Sequence, residues 1–145
     1  MIAGSGDIPK YILREAEKQG YKCIVAAIRG EHDASLIDVV QTLEWFEVDK
    51  VREIAAFFND NEIKTVVFAG KIDIRILFTK KRFGKLALNL LVRGKDWSPV
   101  NLIQTAIDYF FKQGIKIIDP TPWLSPYFCR PGILTKKHPS KQEED

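Results

Sequence analysis

The chain has 145 residues and a formal net charge of +3, with 46% hydrophobic and 28% charged residues. This length and composition are those of one globular domain with a core of its own, and they exclude a disordered chain. No apolar run approaches the ~18 residues of a membrane span, and charged residues interrupt the start where a signal peptide is apolar. We therefore expect a cytoplasmic protein.

The cysteines and histidines do not form a metal-binding pattern. Cys23 falls in a predicted buried strand, where a free thiol behaves as a small hydrophobe, and Cys129 lies far from it in the chain. His32 and His138 both fall in predicted loops. Because zinc sites need four such ligands at short, characteristic spacings, we do not expect a structural zinc.

The first turn of the chain is its most informative feature. An apolar stub leads into Gly4-Ser5-Gly6, and an amphipathic helix follows, with Asp7 as its predicted N-cap and Gly20 as its stop. Such a turn points N–H groups and the positive end of a helix dipole at one place, which suits a phosphate. Pro9 stands where the dinucleotide fingerprint G-x-G-x-x-G has its third glycine, which weakens the prediction of a dinucleotide cofactor. The alternative is that the glycines only permit a tight strand-to-helix turn.

Strand and helix patterns alternate along the rest of the chain. Strands are predicted over 21–28, 42–48, 65–69 and 115–118. A helix capped by Asp49 ends near residue 60, helical pieces cover 72–92, and a helix from Ser98-Pro99 ends before Gly114. Four prolines between 120 and 131 predict irregular structure up to 133–134. The alternation predicts a single Rossmann-like α/β domain, with a mostly parallel sheet and flanking helices.

Four loops are expected to meet at the carboxyl ends of the strands, where α/β sheets bind ligands. They are Gly4-Ser5-Gly6, Arg29-Gly30-Glu31, Gly70-Lys71 and the loop around Asp119. Lys71 adds a positive point charge for a phosphate beside the glycine turn. Glu31 has the chemistry to hold a ribose hydroxyl and Arg29 a 2′-phosphate, although solvated loop residues are the simpler interpretation.

No catalytic centre is visible in the sequence. It contains neither the phosphate loop G-x-x-x-x-G-K-[ST] nor the nucleophile elbow G-x-S-x-G. Its carboxylates are scattered, with no pair at a convincing metal-binding spacing, and each is more typical of a cap or a surface charge.

A basic segment spans residues 71–96, which contain eight lysines and arginines but only two aspartates. Its cations are not interleaved with a run of exposed aromatic residues, which argues against nucleic acid as a partner. The simplest interpretation is a solvated helix face, and the alternative is a surface that meets anionic lipid or a charged substrate.

Several motifs occur together in an order that is typical of one family. The opening Ala3-Gly4-Ser5-Gly6-Asp7-Ile8-Pro9 matches A-G-x-G-x-x-P, and four further motifs follow in family order. These are Ala27-Ile28-Arg29-Gly30-Glu31, Val67-Phe68-Ala69-Gly70-Lys71-Ile72, Gly132-Ile133-Leu134-Thr135 and Pro139-Ser140. Over essentially the whole chain they resemble the N-terminal domain of the LpxI-type UDP-2,3-diacylglucosamine pyrophosphatases.

The resemblance implies a cytoplasmic enzyme of lipid A biosynthesis that is peripheral at the inner membrane. The family hydrolyses UDP-2,3-diacylglucosamine to 2,3-diacylglucosamine 1-phosphate and UMP with a divalent metal, magnesium, and holds the lipid between two domains. This chain would be the substrate-binding domain, inactive alone and without a catalytic residue. Substrate-binding roles then fall on Gly4, Ser5, Gly6, Arg29, Gly70, Lys71, Arg93 and Asp96.

The chain departs from the family pattern at two points. Family members have two acidic residues after a glycine where this chain has Gly94-Lys95-Asp96, so only Asp96 matches. Family proteins also continue into a catalytic domain. We therefore expect a Rossmann-like domain over 1–135 and a polar linker over 136–145 that leads to a C-terminal catalytic domain absent from this sequence. An apolar wall left uncovered would favour a homodimer.

Two other functions fit the residues without the resemblance. One is a stand-alone nucleotide- or dinucleotide-binding module built on the glycine turn. The other is a non-catalytic interaction domain whose basic face binds acidic partners or a membrane surface.

Overall fold

The computed structural model describes residues 1–30, 40–72 and 98–129. Its strands are β1 (Ile2–Ala3), β2 (Ile24–Ile28), β3 (Thr42–Phe46), β4 (Thr65–Val66), β5 (Phe68–Ala69) and β6 (Lys116–Ile117). Its helices are α1 (Ile8–Lys18), α2 (Val51–Asp60), α3 (Pro99–Lys112) and α4 (Thr121–Leu124), which a 3₁₀ turn (Ser125–Tyr127) follows. The predicted helical pieces beyond Ile72, the segment 133–134 and the predicted linker lie outside the described residues.

The strands form the parallel sheet that the alternation predicts. One sheet has the order β3-β2-β1-β5, and β4 pairs with β6, all in parallel. A single residue, Val67, separates β4 from β5, and its carbonyl oxygen accepts the Ile2 N–H at 2.9 Å. With β4 and β5 taken as one strand, the order is 3-2-1-4-5, that of the first strands of a dinucleotide-binding fold. The Rossmann-like prediction is confirmed.

Helices cover both faces of the sheet, because successive side chains of a strand point to opposite sides. Ile2 and Ile28 pack on the face covered by α2 and α3, in one core with Phe58 and Phe110. Ala3 lies on the other face. Its neighbours there are Met1, Val25, Ala27, Val67 and Ala69 of the sheet with Ile12 and Leu13 of α1, and Trp123 and Leu124 of α4 pack against them.

Three helix starts were predicted from capping residues, with different outcomes. The Ser98 Oγ accepts the Asn101 N–H at 3.3 Å, which confirms the predicted cap of α3. Asp7 is the N-cap of α1, but its carboxylate makes no capping bond and pairs with the Lys10 Nζ at 3.3 Å. The Asp49 cap is wrong by one position, since the N-cap of α2 is Lys50.

The proline-rich segment after β6 is more regular than predicted. The Asp119 carboxylate accepts the Thr121 N–H at 2.9 Å and the Thr121 hydroxyl at 2.7 Å, and these bonds lower the pKa of Asp119. Pro122 then occupies the first turn of α4, where a helix needs no N–H donor. The prediction of irregular structure is therefore wrong for residues 121–127.

Strand β2 starts three residues later than predicted. The α1 helix ends in a glycine turn in which the Gly20 N–H donates to Glu17 and the Tyr21 N–H donates to Ala16, each to a carbonyl oxygen at 2.9 Å. Tyr21 thus belongs to the end of the helix and is 57% exposed. Cys23 precedes the strand and is half-buried rather than buried, and desolvation raises the pKa of its thiol.

The α-amine of Met1 is buried at the amino end of β1. It donates to the Ile24 carbonyl oxygen at 2.6 Å, and burial lowers its pKa from 8 to about 5. A cavity of about 440 Å³ lies in front of it, lined in part by Ile24, Thr65 and Trp123. The amine is therefore neutral at pH 7 in the folded chain.

Truncation of a core phenylalanine tests the packing of α2 on the sheet. We expect Phe58→Ala to lower the free energy of unfolding by about 3–5 kcal/mol, because Phe58 is fully buried. The matched control is Phe111→Ala on α3, where the side chain is 73% exposed and the loss is about 0.5 kcal/mol. Urea denaturation of the 145-residue chain measures both, and equal losses would contradict this packing.

The buried amine also predicts a pH dependence of stability. Between pH 8 and pH 5 the unfolded chain binds a proton at Met1 that the folded chain does not, so the free energy of unfolding rises with pH across this window. The full difference is about 4 kcal/mol at about 1.36 kcal/mol per pKa unit. Nα-acetylation removes the titrating amine and therefore abolishes this contribution. Parallel urea-denaturation profiles of the free and acetylated chains from pH 5 to pH 8 would refute the prediction.

Candidate functional site

The turns after β1 and β5 are joined to each other at the carboxyl edge of the sheet. The Ser5 N–H donates to the Lys71 carbonyl oxygen at 2.8 Å, and the Lys71 N–H donates to that of Ser5 at 2.9 Å. The Ser5 hydroxyl donates to the same Lys71 oxygen at 3.1 Å, and the Gly4 N–H donates to Ala69 at 2.8 Å. The structure thus brings together Gly4, Ser5, Gly70 and Lys71 of the predicted site, and the first two amides of the glycine turn are bound to backbone.

Gly4 and Gly70 permit this approach because they have no side chain. A Cβ on Gly4 would lie 2.2 Å from the Lys71 carbonyl oxygen, and a Cβ on Gly70 would lie 2.6 Å from that of Ser5. Gly70 also has a φ of +84°, in the left-handed region that favours glycine. The close packing of the two turns therefore explains why glycine stands at both positions, whether or not a ligand binds there.

The joined turns divide the carboxyl edge into a polar and an apolar half. Phe68, Gly70 and Ile72 lie on the face covered by α2 and α3. Lys71 is not among the residues that line this face, and its side chain is exposed. Its backbone is bonded to Ser5, which leads into the start of α1. An exposed cation thus stands at the joined turns, next to apolar side chains that line the covered face.

The start of α1 lies in the polar half. Gly6 and Asp7 are exposed there, next to the positive end of the helix dipole. Pro9 is fully buried, which shows that α1 packs on the sheet through a side chain where the dinucleotide fingerprint has a glycine. The Asp7 carboxylate carries a negative charge at this end of the helix, and Lys10 offsets it.

The turn after β2 lies at the same edge. The Arg29 N–H donates to the Phe46 carbonyl oxygen at 2.8 Å, which extends the ladder between β2 and β3 by one bond. The Arg29 side chain is exposed. Arg93 and Asp96, which were also predicted to bind substrate, lie outside the described residues, as does Glu31.

An apolar groove of about 220 Å³ occupies the other half of the edge. It is bounded by the ends of the strands at Ile28 and Gly70, by Val51 of α2, and by Leu102 and Ala106 of α3. Every described residue that lines it is apolar or glycine. Ile103 stands at its rim and is 45% exposed.

Sequence reasoning missed this groove because it searched the loops for polar chemistry. The signal was an apolar residue just beyond a strand end: Val48 follows the end of β3 by two positions, and Ile72 follows the end of β5 by three. The second wall of the groove is α3. The apolar periodicity of a helix predicts which of its faces is buried, but not the angle at which the helix packs.

Carboxylates do not assemble into a metal site in the part of the chain that the structure describes. No group of three or more histidine, cysteine, aspartate or glutamate side chains there is placed to hold a metal ion. Asp119 serves as the local cap described above. Likewise, none of the helices over the described ranges is long and apolar enough to cross a membrane.

Tyr127, near the end of the described residues, packs against α1. Tyr127 stacks on Tyr11 with ring centroids 4.4 Å apart, and its hydroxyl donates to the Glu15 carboxylate at 3.1 Å. Tyr11 lies in the first turn of α1, and this turn starts at the carboxyl edge of the sheet. Tyr127 therefore lies against the part of α1 that is nearest to the polar half of the site.

A glycine substitution tests whether the two turns must approach so closely. We expect Gly70→Ala to lower the free energy of unfolding by about 2 kcal/mol more than Gly114→Ala does. Both glycines have a positive φ, which costs an alanine about 1 kcal/mol, but a Cβ on Gly114 meets nothing within 4 Å. Equal losses in urea denaturation would mean that backbone strain alone requires glycine at 70.

The comparisons with known proteins agree with this architecture. A family model described as the LpxI N-terminal domain matches residues 1–127, which include every strand and helix of the structure. A search of curated proteins finds no match to this chain. The match confirms the family resemblance over residues 1–127, and the chain belongs to the LpxI N-terminal domain family.

Proposed function

We propose that this chain is the substrate-binding domain of a UDP-2,3-diacylglucosamine diphosphatase. The complete enzyme releases UMP and 2,3-diacylglucosamine 1-phosphate, and this domain forms one wall of the cleft that holds the lipid. Membership of the LpxI N-terminal domain family is the observation that carries the proposal. The activity itself belongs to the enzyme as a whole, since the described residues contain no catalytic constellation.

The polar half of the carboxyl edge supports a role in holding the anionic part of this substrate. An exposed lysine beside a helix N-terminus attracts a diphosphate by its charge and by the helix dipole. Lys71 is held in place by its own backbone, which forms two of the bonds between the turns. Arg29 adds a second exposed cation at this edge.

A second domain is the partner that this proposal requires. Tyr127 stacks on Tyr11 and donates to Glu15, so the last described residues pack against α1, whose first turn lies at the carboxyl edge. The proposal places the catalytic domain over this edge, with the ligand between the two domains.

The proposal assigns the divalent metal, magnesium, to residues outside the described ranges, because no carboxylate group within them fits it. Such a metal supplies polarisation of a phosphoryl oxygen when it is bound. The proposal also includes peripheral association with an anionic membrane surface, at which the lipid substrate resides.

A stand-alone nucleotide-binding module is less consistent with the geometry. Such modules present the amides of the glycine turn to the pyrophosphate. Here the Gly4 and Ser5 amides donate to backbone oxygens, and Pro9 has no N–H to offer. A flat titration of the 145-residue chain with nicotinamide and adenine nucleotides is the expected result.

The first test is the mass of the protein in its source cell, followed by an assay of the longer form. An immunoblot should detect a species about twice the mass of this chain, as expected for a second domain of ordinary size. The longer form should release UMP from UDP-2,3-diacylglucosamine, and the 145-residue chain should not. A single species of this mass, or turnover by the chain alone, would overturn the two-domain proposal.

A charge substitution tests the role of Lys71 within that assay. We expect Lys71→Met in the longer form to raise KM about fivefold with little change in kcat, because an exposed ion pair contributes up to about 1 kcal/mol. Lys22→Met is the matched control, since it removes an exposed lysine at the amino edge of the sheet. If both variants shift KM equally, Lys71 has no special role.

A further inference from the structure

We draw no further inference here: the strongest candidate, the cavity of about 440 Å³ that α1, α4 and the first residues of β2 and β4 enclose at the amino edge of the sheet, borders Met1, the first residue of the chain, and nothing in the structure shows what covers it.

Discussion

The approach of the turns after β1 and β5 is the constraint on which the ligand edge depends. Two reciprocal backbone bonds join Ser5 to Lys71, and they form only because Gly4 and Gly70 have no Cβ to separate the chains. These backbone bonds hold both turns in one position, so they also determine where Lys71 and Ile72 lie. A larger residue at either glycine would push the turns apart and would alter both halves of the edge at once.

The same constraint places polar and apolar groups side by side at this edge. Lys71 is exposed, whereas Gly70 and Ile72 on either side of it line the groove. Neither half is unusual alone, since an exposed lysine and an apolar cleft are common on protein surfaces. Their closeness at the joined turns is the feature on which the proposed function depends.

The last described residues contact α1, whose first turn lies at the same edge of the sheet. Asp119 caps α4, and the segment after it runs along α1 until Tyr127 stacks on Tyr11. Tyr127 itself is 42% exposed, so these contacts lie at the surface of the domain. They hold the last described turn of the chain against the start of α1.

Much of this architecture followed from local sequence patterns. Alternating apolar runs and the caps at Ser98 and Gly20 predicted the parallel sheet, the helices and their order, because periodicity and capping act within a few residues. The family also followed from short motifs in order. Tertiary structure alone decided that Gly4 and Gly70 serve a close approach, that the amides of the glycine turn are bound to backbone, and that a groove opens between α2 and α3. Each of these depends on residues more than forty positions apart, and their distance is set by packing rather than by any local preference.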